Sequence, residues 1–252
     1  MVLKSRVTIL VKASPQPSKS HRETVCCAGL DPNGNWKRLF PIRFRQLSDE
    51  QSFRRWSIVD FKYSAPKQDI RPESCRVHEE SITVKGYVRD RDRKAGLVYP
   101  AIKASEIEAA SQGHSLTVIK PYNVSLKHRR RSIAELEDAR TAFEKQARQA
   151  SMFDKDLDFI EPCPFEFKMS FKDGDDKRRE KLCGDWETQA AFFNFRIQHG
   201  EAAALKHLED TYCDKYFRTG LIFALGNMAS RPQTWQLLGI FPLPEPKQQS
   251  FF

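Results

Sequence analysis

Basic and aromatic side chains crowd one ten-residue stretch of the chain. Trp36, Arg38, Arg43 and Arg45 lie in it, interleaved with a lysine and two phenylalanines. On a strand, Trp36, Arg38 and Phe40 share one face. An arginine beside aromatic rings suits a phosphate contact next to a base-stacking platform, where stacking contributes roughly 1–3 kcal/mol per base. The stretch predicts a nucleic-acid-binding surface; alternatively, the rings fill the core and the arginines face solvent.

Other cations extend this prediction. Lys19 and Arg22 belong to a basic loop, and Arg129 and Arg130 to a dense cationic run that precedes a predicted helix. Arg71 stands in the run Arg-Pro-Glu-Ser, where it either forms an internal salt bridge or fixes a phosphate. The predicted nucleic-acid-binding residues are Lys19, Arg22, Trp36, Arg38, Arg43, Arg45, Arg71, Arg129 and Arg130.

Two acidic groups raise the question of metal-dependent catalysis. A metal nuclease needs paired carboxylates and a lysine that converge on the ion. Asp60 and Lys62 resemble half of such a site, followed by Asp69 and Glu73. The spacing matches no metal-nuclease pattern, and the second group, around Asp185, is explained as a helix cap. Catalytic residues are therefore not assigned, and whether the protein is an enzyme stays open.

The six cysteines do not indicate a metal site. None forms a Cys-x-x-Cys pair, and no histidine lies at zinc-finger spacing. No phosphate-binding loop or dinucleotide fingerprint is present in the sequence. We expect no metal and no cofactor, and we expect reduced thiols that serve as small core residues in a cytoplasmic protein.

The charge balance favours a polyanionic partner. The 252 residues contain 42 Lys and Arg against 33 Asp and Glu, a net charge of +9, which points most simply to nucleic acid. No stretch approaches the ~18 apolar residues of a membrane helix, and the first residues lack the apolar region of a signal peptide. No membrane partner is expected.

The last residues form a peptide of the kind that a groove captures. Prolines predict an extended, flexible segment over 242–247. The following run Gln-Gln-Ser-Phe-Phe resembles the bacterial sliding-clamp-binding peptide, Gln-Leu-Ser/Asp-Leu-Phe, with Gln249 and Phe251 in the leucine places. The resemblance implies clamp contacts by Gln248, Phe251 and Phe252. Alternatively, the two phenylalanines dock on the protein's own surface.

The elements that must position these residues are short strands, hairpins and inserted helices. Asn33-Gly34 predicts a tight turn between strands that end near Leu30 and begin at Trp36. Ser132 and Glu135 form a capping box at the start of a polar helix. Cys75–His78 and Ile82–Val84 indicate a further pair of strands. The chain is predicted to be α+β.

One further comparison rests on six runs of the sequence: residues 24–30, 36–45, 69–74, 184–187, 226–227 and 235–241. Together these runs resemble the dual OB-containing domain family of prokaryotes. The resemblance spans most of the chain and implies two OB-like small β-barrels that handle nucleic acid, without an established chemistry.

We therefore expect an N-terminal OB-like half over 1–131, a helical connector over 132–163, a C-terminal OB-like half over 164–241 and a flexible partner-binding tail over 242–252. The predicted function is a nucleic-acid-binding accessory protein of DNA replication, repair or defence, tethered to a sliding clamp. The alternatives are a metal-dependent nuclease or other DNA-processing enzyme, and a module that binds only proteins.

Overall fold

The computed structural model describes residues 1–14, 16–18, 22–148 and 161–246. This part of the chain is α+β, as predicted. Its strands are β1 Leu3–Lys12, β2 Gln16–Ser18, β3 Arg22–Leu30, β4 Trp36–Ile42, β5 Ser57–Ser64, β6 Ser74–Tyr87, β7 Leu116–Ile119, β8 Tyr122–Arg130, β9 Phe165–Lys172, β10 Arg178–Leu182, β11 Leu221–Met228 and β12 Arg231–Pro242. Its α-helices are α1 Arg91–Val98, α2 Glu106–Ser111, α3 Ile133–Arg148, α4 Trp186–His199, α5 Glu201–Glu209 and α6 Tyr216–Thr219.

The N-terminal strands close into a five-stranded barrel. Its order is β1-β5-β6-β4-β3, and β3 pairs back with β1. The neighbours are antiparallel except for β4 and β6, which are parallel. Side chains alternate between the two faces of a strand, so Val7, Ile9, Val25 and Cys27 fill the interior. The short strand β2 extends the sheet beside β3.

The predicted turn between β3 and β4 is confirmed. Gly34 adopts a φ of 81°, a conformation that glycine reaches without steric cost. The Asp31 carboxylate accepts hydrogen bonds from the backbone N–H groups of Asn33 and Asn35, both at 2.9 Å. Five consecutive residues, 31–35, are therefore enough to predict this turn.

The prediction of two strands around Cys75 and Ile82 is wrong, because β6 is one strand of 14 residues. Its pairing with β5 shifts register between Asp60 and Lys62. At this β-bulge the Ser81 hydroxyl accepts from the Lys62 backbone N–H at 2.8 Å and donates to the His78 carbonyl at 2.6 Å. A side chain thus satisfies backbone groups that the irregular pairing leaves over.

The second half contains two three-stranded sheets, β10-β9-β8 and β12-β11-β7. One parallel bridge, between Cys183 and Leu237, joins β10 to β12, and the chain passes directly from β7 to β8 through Pro121. Helices α4 to α6 are inserted between β10 and β11. The sheets enclose a core rich in aromatic rings, among them Phe171 and Phe223, whose centroids are 5.1 Å apart.

The predicted boundary at residue 131 differs from this arrangement. Strands β7 and β8 lie before it in the chain but pair with β11 and β9 of the second half. The first half therefore ends near α1. The helix expected after Ser132 is present as α3, and its capping box is confirmed: Ser132 Oγ accepts from Glu135 N, and Glu135 accepts from Ser132 N.

The start of the predicted flexible tail is fastened to the second half. Leu243 is fully buried, and its N–H donates to the Gly220 carbonyl at 2.6 Å. Glu245 forms an ion pair with Lys120. Residues 242–245 are thus held in place, and the residues from 247 onward lie outside the described part.

The two halves share one apolar layer. The outer faces of β1, β3 and β4 contribute Leu10, Ala28, Leu30 and Trp36, and the second half contributes Leu116, Val118, Ile222 and Phe241. Strands β3 and β4 therefore do not present this face to solvent.

A buried ion pair crosses the same interface. Arg55 donates to both oxygens of Asp185, at 3.1 and 3.0 Å, and to the Ile240 carbonyl. The side chains are 7% and 0% exposed. Asp185 also caps α4 through Glu187 N, as predicted, and accepts from Ile240 N at 3.0 Å. The carboxylate attraction outweighs the burial penalty at the guanidinium, so the pKa of Arg55 is raised.

Asp185→Ala should lower the free energy of unfolding by about 3–5 kcal/mol, because it leaves the Arg55 charge buried without its main partner. Urea denaturation measures the change. The matched control is Asp60→Ala, which breaks the solvent-exposed Arg6–Asp60 pair and should have a much smaller effect. Equal effects of the two substitutions would show that Asp185 does not hold the halves together.

Candidate nucleic-acid interface

The predicted centre of the site, Trp36 and Arg38, is buried. Trp36 is 7% exposed and Arg38 3%. The Arg38 guanidinium donates to the carbonyl and hydroxyl oxygens of Ser115 in the second half, at 3.0 and 3.2 Å. The prediction that these side chains contact phosphates and bases is corrected, because they join the two halves of the protein.

Arg71 belongs to the same interface. It pairs with Asp69, through bonds of 2.7 and 2.6 Å, and donates to the Asn227 carbonyl of the second half. The internal salt bridge is thus the correct alternative, with Asp69 as the partner. These contacts hold the pKa of the Asp69 carboxyl at about 2, against the opposing effect of burial.

The buried Glu73 completes this part of the interface. Its carboxylate accepts from the Ser115 backbone N–H at 2.8 Å and from the Ser115 hydroxyl at 2.7 Å. Ser115 in turn accepts from Arg38, so one serine of the second half is held between an acid and a base of the first.

The remaining predicted cations are scattered. Arg43 is 41% exposed and pairs with Glu79. Arg129 and Arg130 lie on the exposed end of β8, where Arg129 binds Glu135 and Arg130 binds Glu201. The side chains of Arg22 and Arg45, and the residues Lys19, Gln248, Phe251 and Phe252, lie outside the described part. The structure brings Trp36, Arg38 and Arg71 together only at the interface of the halves, and Arg43, Arg129 and Arg130 pair with separate carboxylates.

A different basic surface lies at one end of the barrel. A groove of about 750 Å³ is lined by the cations Lys12, Arg54 and Arg89 and the rings Phe44 and Tyr87. We call these five residues the basic groove. They come from the end of β1, the segment after β4, the loop before β5 and the end of β6, so no local sequence pattern unites them. Sequence analysis missed all of them except Phe44, which it placed in the basic aromatic stretch.

Cations lie on the rings of the basic groove. The Arg54 guanidinium is 4.6 Å from the Tyr87 ring centroid, and Lys12 Nζ is 3.8 Å from that of Phe44. Lys94, on α1, approaches the Tyr87 ring to 5.6 Å. Such contacts hold positive charge over a ring face. Burial lowers the pKa of Lys12, so its ammonium is incompletely hydrated.

The cations of the groove are not neutralised. Within the described residues, Arg54 and Arg89 are exposed and form no ion pair. Glu187 lies close enough to Lys12 to oppose the lowering of its pKa, but that carboxylate pairs with Arg55 at 3.2 Å. The groove therefore presents excess positive charge beside flat surfaces.

The net charge of the chain is concentrated in the half that carries this groove. Residues 1–100 contain 20 Lys and Arg against 11 Asp and Glu, and residues 101–252 contain 22 against 22. The entire excess of +9 thus belongs to the N-terminal half.

Three of the carboxylates considered for catalysis are held by arginines, and the fourth, Glu73, by Ser115. Asp60 pairs with Arg6, Asp69 with Arg71 and Asp185 with Arg55. Among the described residues, no group of three His, Cys, Asp or Glu side chains could hold a metal ion. The described geometry gives a metal nuclease no assembled ligand set.

The thiols behave as core residues. All six cysteines are free, and Cys27, Cys75, Cys163 and Cys183 are buried. Burial raises the pKa of Cys75 to about 11 and that of Cys183 to about 12, which keeps both in the thiol form at neutral pH.

The chain belongs to a family of domains without an assigned function. Residues 101–252 match the family described as Domain of unknown function (DUF8757), and residues 3–98 match Domain of unknown function (DUF8758). The division between the two matches falls after α1, where the strands of the structure also divide. No curated protein matches the chain. No helix in the described ranges has the length and apolar character needed to cross a membrane.

Arg38→Ala should destabilise folding without changing nucleic-acid binding. Removing the Arg38 guanidinium leaves the buried oxygens of Ser115 without this donor. The loss should lower the free energy of unfolding by about 1–3 kcal/mol. Urea denaturation and the salt dependence of oligonucleotide binding measure the two effects. Arg54→Ala, the matched control on the exposed groove, should show the reverse. If the Arg38→Ala protein is fully folded and its binding depends less on salt than that of the wild type, Arg38 does contact a phosphate.

Proposed function

We propose that the protein is a nucleic-acid-binding accessory protein that holds single strands in the basic groove of its N-terminal half. The observation that carries the proposal is the confinement of the whole positive excess to residues 1–100, where Arg54 and Arg89 are exposed and the Arg54 guanidinium lies on the Tyr87 ring. A neutral second half argues against a generally basic protein.

The groove suits a single strand better than a duplex. Phosphates meet Lys12, Arg54 and Arg89, and an unstacked base lies on the Arg54 guanidinium, which itself rests on Tyr87. Guanidinium planes and rings accept every base, so binding of this kind tolerates many sequences.

The topology supports OB-like barrels in both halves. The N-terminal order, with one parallel pair, is that of a five-stranded Greek-key barrel. The second half repeats it if β7 and β8 count as one bent strand, and its parallel contact is the Cys183–Leu237 bridge. Such barrels usually bind ligands on the face of their second and third strands, here β3 and β4. Because the second half covers that face, we place the ligand at the barrel end instead.

The experiment compares Arg54→Ala/Arg89→Ala with the wild type on labelled oligo-dT, oligo-U and a duplex. Each lost phosphate contact should reduce the slope of log K against log salt by about 0.7 on a single strand, so the double variant should lose about 1.4. Fluorescence anisotropy across a salt series measures the slope.

Lys177→Ala/Lys215→Ala is the matched control, since it removes two exposed charges from the neutral half and should leave the slope unchanged. Equal slopes for the groove variant and the wild type would refute the proposed site. Stronger binding of the duplex than of either single strand would refute the proposed substrate.

We further propose that the final five residues tether the protein to a sliding clamp in DNA replication, repair or defence. Leu243 and Glu245 fix the chain two residues before Lys247. An extended chain spans at most ~3.6 Å per residue. Gln248, three residues beyond Glu245, can therefore lie at most about 11 Å from it. A clamp that holds the peptide would therefore hold the folded protein close to its surface.

Deleting residues 248–252 should abolish clamp binding and leave both the unfolding free energy and oligonucleotide binding unchanged, because within the described residues the contacts of Leu243 and Glu245 already fix the end of the fold. Calorimetry with a bacterial clamp measures the binding. The variant Phe251→Ala/Phe252→Ala tests the two aromatic side chains without shortening the chain, and it should also weaken binding, because aromatic anchors of this kind typically contribute about 2 kcal/mol or more. Loss of folding on deletion would instead assign these residues to the protein's own surface.

A further inference from the structure

A second basic surface covers the outer wall of the barrel across β1, β5 and β6. A shallow groove of about 560 Å³ there is lined by Lys4, Arg6, Lys62 and Lys85, with Asp60 as its one carboxylate. We call Lys4, Lys62 and Lys85 the lysine wall. All three side chains are exposed.

The pairing of the strands leaves the lysine wall unneutralised. Lys4 stands directly opposite Lys62 in the register of β1 and β5, and like charges in that position destabilise a sheet. Arg6 is opposite Asp60 and binds its carboxylate through two hydrogen bonds of 2.6 and 2.8 Å, although the same carboxylate also attracts Lys85. Within the described residues, none of the three lysines forms an ion pair.

The third lysine lies on the same face of β6 as Thr83, two residues earlier, because side chains alternate between the two faces of a strand. Val84 pairs with Val59 and Gly86 with Ile58, so Lys85 is the extra residue between them. A β-bulge therefore lies at Lys85 itself, where β6 bends beside β5. The Thr83 hydroxyl lines the same groove and adds a hydrogen-bond donor for phosphate oxygens.

The lysine wall continues into the basic groove. Lys85 belongs to the lysine wall, and the next two residues of β6, Gly86 and Tyr87, line the basic groove. Along β1 the two surfaces are marked by Lys4 and Lys12, eight residues or ~26 Å apart at about 3.3 Å per residue. A ligand that spans both must be an extended polyanion, because no small anion covers that distance.

We infer that the lysine wall is the continuation of the nucleic-acid path, so that one single strand passes from the basic groove across the outside of β5 and β6 to Lys4 and Lys62. The inference rests on the proposed function and adds its direction and length. It assigns base stacking to the groove and backbone contacts alone to the wall.

The test uses Lys4→Ala/Lys62→Ala/Lys85→Ala with labelled oligo-dT of about 4 and about 16 nucleotides, the range of site sizes found for single barrels. For the long strand, the slope of log K against log salt should fall by about 2, at about 0.7 for each lost contact. For the short strand, held in the groove, binding should stay at the wild-type level.

The outcomes separate the two proposals. If the long strand binds the triple variant like the wild type while Arg54→Ala/Arg89→Ala weakens it, the wall is not part of the path. If the triple variant also binds the short strand more weakly than the wild type, the wall and the groove form one short site. That result would refute a path that continues from the groove to the wall. If the wild type binds neither strand, the proposed function itself fails.

Lys177→Ala/Lys215→Ala/Arg231→Ala is the control for the loss of three exposed charges. Urea denaturation should show the lysine-wall variant at least as stable as the wild type, since it removes the repulsion between Lys4 and Lys62. That result excludes unfolding as the cause of weaker binding.

Discussion

The docking of the two halves around Arg55 and Asp185 determines which surfaces the protein can offer. One carboxylate, fully buried, binds the guanidinium of the other half, begins α4 and accepts from β12. Buried ion pairs add little net stability compared with apolar contacts. Their partners are nevertheless costly to leave unpaired, so this contact favours a single arrangement of the halves. That arrangement covers the outer face of β3 and β4 and leaves the barrel end and the wall of β1, β5 and β6 free.

Several of the charged and aromatic runs that the sequence analysis singled out meet at this interface. Arg71 reaches Asn227, Arg38 and Glu73 hold Ser115, and Asp185 binds Arg55. Charged residues beside aromatic ones suggested a ligand site, but their partners are the protein's own groups. These residues therefore join the halves, and a ligand surface has to be located from exposed charge.

Local features were predictable from the sequence and long-range ones were not. The turn at Gly34, the capping box at Ser132 and the cap at Asp185 depend on a few neighbouring residues, and the structure contains all three. The partner of Arg38 lies 77 residues away, and an arginine in a strand has the same local pattern whether it binds a phosphate or a buried serine. The basic groove is assembled from four segments, each with one or two ordinary residues. Only the closure of the barrel brings them together.

The uneven charge of the two halves gives the molecule a permanent electric dipole. A positively charged half joined rigidly to a neutral one experiences a torque in the field of a polyanion, so it turns before contact and arrives with the barrel foremost. The neutral half then follows behind the barrel. The orientation at encounter is thus a property of the whole molecule, set by the charge composition of its two parts. Salt weakens this effect, because at 0.1 M ionic strength charges are largely screened beyond about 10 Å.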